Sequence, residues 1–81
     1  MATEELVAAD DILLEAIRGA LGDYAYRIDD IEPEIRKLVM SGPGKKYWPK
    51  KEADRLRAKF ATQPERDGIL TWIMKKGWVT P

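Results

Sequence analysis

The chain contains neither cysteine nor histidine. Without thiols there is no disulfide framework and no cysteine nucleophile. Without imidazoles the commonest general base is missing, and with thiols gone so are the usual zinc ligands. Carboxylates alone remain for acid–base or metal chemistry. The acidic run 29–34 lacks the alternating ligands and central glycine of a calcium loop. The lysines at 45–46 follow a glycine, but position 39 is valine where a phosphate loop needs glycine, and no hydroxyl follows Lys45. The expectation is therefore no enzyme, no cofactor and no bound metal. Long apolar runs are also missing, since a bilayer span needs about 20 such residues. Glu4 and Glu5 stand where a signal peptide carries positive charge. A soluble, cytoplasmic protein without membrane contact is expected.

What is present fits one domain over residues 1–81, with 44% hydrophobic residues for a core and 35% charged residues for its surface. A chain this short buries only about 60% of the surface its unfolded form exposes. The formal net charge of zero conceals a division. Residues 1–42 carry ten acidic and four basic side chains, and residues 43–81 carry four acidic and ten basic. Such segregation suits either mutual attraction of the halves or a basic face for a polyanion.

Periodicity indicates an all-α fold, a compact domain of three or four helices with no strand of convincing length. Leu6, Leu13, Ile17 and Leu21, with Ala9, Ile12, Ala16 and Ala20 beside them, form the apolar stripe of a first helix. Thr3 is its candidate N-cap and Gly22 its stop, while Asp10-Asp11 offers an alternative, later start. Residues 23–27 suit a turn or a short helix. A second helix is expected after Asp29 or Asp30, with Pro33 in its first turn and Ile31, Ile35, Leu38 and Val39 on its buried face. Gly42-Pro43-Gly44 ends it. A third helix over 49–60 puts Ala53, Leu56 and Phe60 on one side and Lys51, Arg55 and Lys59 on the other. A fourth, over 63–76, opens on a capping box of Thr62 and Glu65. It closes on a Schellman pattern, Gly77 at C′ and Trp78 folding back on Ile73.

The stretch GPGKKYWPKK (42–51) joins the halves and supplies the functional signal. Its rings, Tyr47 and Trp48, are expected to face inward as plugs for a small core. Its cations, with those that follow, suit a polyanion, because counterion release supplies much of the affinity for nucleic acid. Two helices joined by Ala61-Thr62 have the sequence shape of a helix-turn-helix. The run Ile69-Leu70-Thr71-Trp72-Ile73-Met74-Lys75-Lys76-Gly77-Trp78-Val79 resembles the end of the recognition helix in winged-helix DNA-binding domains. Gly42, Tyr47, Pro49 and Lys50 resemble the residues that precede the helix-turn-helix in Mor-type phage transcription activators. Together these resemblances cover residues 42–79 and imply a small DNA-binding regulator. On that expectation Lys45, Lys46, Lys50, Lys51, Arg55 and Lys59 neutralise phosphates of duplex DNA, while Gln63 and Arg66 approach base edges. Helical projection also turns Arg66 toward the apolar side, where an N-terminal carboxylate could meet it. The amphipathic first helix could support a homodimer. The alternative is a protein–protein interaction module, an inhibitor or adaptor, that binds its partner through Trp72, Met74 and Trp78.

Overall fold

The structure is a computed structural model that describes residues 5–78, apart from the side chain of Tyr26. It is a mostly α-helical domain of four helices with one small strand pair. Its elements are β1 (Leu6–Ala8), α1 (Ala9–Leu21), a 3-10 helix (Gly22–Arg27), α2 (Ile28–Ser41), β2 (Tyr47–Pro49), α3 (Lys50–Phe60) and α4 (Gln63–Lys75). The chain thus runs twice through the order strand, helix, helix.

The strands form an antiparallel ribbon in which Leu6 faces Pro49, Val7 faces Trp48 and Ala8 faces Tyr47. Each strand passes directly into a helix. The first amide of α1, at Ala9, donates to the Lys46 carbonyl at 2.7 Å, and that of α3, at Lys50, donates to the Glu5 carbonyl at 2.9 Å. Both helix starts are therefore closed by the opposite strand instead of by a side-chain cap. These bonds also fix the alternation of the ladder. Pro49 falls at a non-hydrogen-bonded pair, where its missing N–H costs nothing.

The ribbon corrects two expectations. Leu6 belongs to a strand and not to the first helical stripe, so the later helix start beside Asp10 and Asp11 is the one observed. Valine, tyrosine and tryptophan suit a pleated pair better than a helix end. The proposed cap Thr3 lies outside the described residues. Trp48 is half-buried as expected, but Tyr47 is 52% exposed. Successive strand residues point to opposite faces, so only one ring of an adjacent pair can face the core.

Gly22 ends α1 with φ of +56°, a conformation that favours glycine. The ambiguous 23–27 segment is helical, and α2 follows it without a break from Ile28. Pro33 consequently sits in the second turn of α2 and not the first. The capping box is also corrected. Thr62 makes no side-chain bond to the α4 amides, and its hydroxyl donates back to the Lys59 carbonyl at 2.8 Å. At the other end the Schellman cap is present. Trp78 N–H donates to the Ile73 carbonyl (3.4 Å) and Gly77 N–H to the Met74 carbonyl (3.0 Å), with Gly77 at φ +74°.

α1 is the hub, in contact with α2, α3 and α4. Ile17, Ile28, Ile35 and Ile73 are the largest fully buried side chains, and each contributes roughly 1.5–3 kcal/mol by leaving water. Ala53 is completely buried, and α3 packs on α1. Within the chain, Ile12, Ala16, Ile17 and Leu21 of the α1 stripe are buried, while Ala9, Leu13 and Ala20 are half-buried.

Candidate nucleic-acid interface

The α2–β2 joint and α3 position most of the candidate cations, and the fold treats them unequally. Lys46 turns back on the C-terminus of α2, where its Nζ donates to the carbonyls of Gly42 and, at 3.3 Å, Val39. It serves as a cap for carbonyls that the helix itself leaves unpaired. Lys45 lies 4.6 Å from the centre of the Trp48 ring and 3.5 Å from Glu52. Lys50 pairs with Asp54 at 3.4 Å, one helical turn on. These exposed pairs are weak, screened by solvent and salt, and a stronger anion can displace them.

Lys51, Arg55 and Lys59 differ. All three are exposed on the outward side of α3, and none has an acidic partner among the described residues. Their spacing of four puts them about 6 Å apart along the helix, a strip of about 12 Å in all. The opposite side of α3 carries buried Ala53 and half-buried Leu56 and Phe60, which hold the strip outward. Arg57 lies off the strip. It donates to Glu15 of α1 through Nε (2.6 Å) and Nη2 (3.2 Å), and to Asp54 through Nη1 (3.0 Å). Glu15 above all, then Asp54, holds the Arg57 pKa above its usual value; Arg57 above all, then Lys50, holds the Asp54 carboxyl below its usual range.

The two residues expected to approach bases are placed apart. Gln63 is exposed at the start of α4, where its amide donates to Asp67 at 2.8 Å. Arg66 is turned toward α1 and the end of α3, as projection had it. Its Nε is buried and finds no hydrogen-bond acceptor among the described residues. The N-terminal carboxylate beside it, Glu15, is already held by Arg57. Of the residues named for a protein partner, Trp72 and Trp78 are half-buried against the core and meet edge to face, ring centres 5.3 Å apart. Met74 is 45% exposed.

One cluster escaped the sequence reading. Arg36 Nη1 donates to Asp10 (2.8 Å) and Asp11 (2.9 Å), while Nε and Nη2 hold Glu32 (2.9 and 2.7 Å). Its hydrogen bonds to Glu32 first, then to Asp11 and Asp10, push this guanidinium further toward its charged form. The clamp fastens α2 to the start of α1 and satisfies Asp10, the one buried acid among the described residues. Only the four-residue Glu32–Arg36 spacing was visible beforehand. The clamp lies wholly within the acidic half, whereas Arg57–Glu15 and the ribbon join the halves. No group of three acidic side chains among the described residues is arranged to hold a metal ion. No helix among them is long and apolar enough to cross a membrane. Comparison with family models, with curated proteins and with solved structures finds no match.

Proposed function

We propose that the protein is a small nucleic-acid-binding regulator that grips duplex DNA by its phosphates along the outer side of α3. One observation carries this reading: Lys51, Arg55 and Lys59 form an exposed, evenly spaced row without internal acidic partners. A row of cations on a rigid rod recruits a phosphate backbone with little loss of order on binding. Lys45 and Lys50 flank the row and can join it, since their pairs with Glu52 and Asp54 are solvent-exposed. Backbone contacts then supply most of the affinity and base readout little, because the outward side of α4 offers Gln63, Asp67 and Thr71 and a single cation, Lys75. A duplex suits the surface better than a single strand. Trp48, Trp72 and Trp78 are partly buried, which leaves Tyr47 as the exposed ring beside the candidate lysines, too few for a stacking platform. A mobility shift with random duplex DNA tests the reading. Retarded complexes should form at low salt and disappear with Lys51→Glu and Lys59→Glu in a folded chain; binding that survives both reversals would exclude it.

A second reading is favoured by a different surface. Half-buried Leu13 separates two apolar hollows of about 300 and 290 Å³. One is walled by Val39, Trp48, Leu56 and Phe60, the other by Gly68, Ile69 and Trp72. A protein-interaction module would seat apolar side chains of its partner there. That partner would tolerate reversal of Lys51 and Lys59 and be lost on Trp72→Ala.

A further inference from the structure

We infer that the cleft between α1 and the joint of α3 with α4 binds a small organic anion, a carboxylate carried on an apolar body about the size of a benzene ring. The cleft is half open, offers about 180 Å³ and has an apolar wall of Ile12, Ala16 and Phe60. Glu15, Arg57 and Arg66 supply its charged lining. Two guanidinium groups thus stand against one carboxylate, and that carboxylate is engaged at both oxygens by Arg57. Arg66 is left over. Its Nε is buried, and no described residue accepts its hydrogen.

The contrast with the two arginines that pair with carboxylates of α1 is informative. Arg36 is met by three carboxylates and Arg57 by two. A buried donor without an acceptor is costly, and a guanidinium fork matches a carboxylate with two parallel hydrogen bonds. An anion entering from outside is the group that would satisfy Arg66. The volume sets the size of its body, since an apolar cavity of about 150 Å³ accommodates benzene. Access is open at Gly19, where an added Cβ would meet nothing within 4 Å.

Benzoate is the probe, titrated into the full chain and followed by amide chemical shifts. Benzyl alcohol, which shares the ring and lacks the charge, and inorganic phosphate, which lacks the ring, are the comparisons. Benzoate should perturb Ala16, Phe60 and Arg66, and both comparison compounds should bind at least tenfold more weakly. Arg66→Gln should weaken benzoate at least tenfold. Gly19→Leu keeps the arginine, strengthens the helix and puts a bulky side chain on a residue that lines the cleft, so it should block the probe even if Arg66→Gln fails to fold. The inference is overturned if phosphate binds as well as benzoate, if the shifts gather on Lys51 and Lys59 instead, or if Gly19→Leu binds benzoate like the parent chain. Substitution of Lys51 and Lys59 should leave benzoate binding unchanged, which separates this site from the proposed DNA surface.

Discussion

Residues 6–41 and residues 47–75 pass through the same order of strand and two helices, yet they divide the work unevenly. Of the eleven buried apolar residues among those described, eight lie in the first pass and only Ala53, Ile69 and Ile73 in the second. The first pass also pairs one cluster of charges within itself, with Arg36 clamping Asp10, Asp11 and Glu32, while Glu15 reaches across to Arg57. The second holds its core face to a narrow stripe and turns Lys51, Arg55 and Lys59 outward. Similar topology therefore yields a scaffold in one half and a charged surface in the other. Side-chain pattern, not element order, makes the difference.

This division can be broken from either side. The largest effect should come from the first pass: Ile35→Ala removes a fully buried side chain and should cost about 2–5 kcal/mol in a urea melt. Ala53→Leu, where α3 lies on α1, should cost about 1–3 kcal/mol by overpacking; an unchanged midpoint would show that the two passes are less tightly joined than drawn. Changing Lys51, Arg55 and Lys59 to glutamine should move stability by no more than about 0.5 kcal/mol each, because these side chains touch nothing that the fold needs. The smallest effect concerns acid. The folded-state pKa of Asp54 is lowered, chiefly by Arg57, so the stability it adds is present above its unfolded pKa and lost as pH falls through the folded value. Asp54→Asn should therefore lower the thermal midpoint slightly at neutral pH, and the difference from the parent chain should close as pH falls below about 4.

Helices were the legible part of this sequence, because amphipathic spacing and glycine stops are local signals. Gly22, the Ala53–Leu56–Phe60 face and the Gly77–Trp78 cap all follow from neighbours within one or two turns. The ribbon was not legible. Val7 and Trp48 are 41 positions apart, and three-residue strands are too short for alternation to stand out. The capping box failed for a related reason: Thr62 had a second acceptor, the Lys59 carbonyl, which a pattern of residue types does not reveal. At the candidate site, sequence spacing placed Lys51, Arg55 and Lys59 on one outward face and projected Arg66 inward. It could not reveal that Lys46 caps α2 or that Glu15 was committed to Arg57, since both depend on how the chain folds back.

The salt dependence of duplex binding tests the central claim most directly, measured by fluorescence anisotropy for the parent chain and for Lys51→Gln/Arg55→Gln/Lys59→Gln. Three phosphate contacts should contribute about −2.7 to the slope of log K against log salt, and the triple substitution should remove that much. Equal slopes for the two chains, or a parent slope near zero, would contradict it.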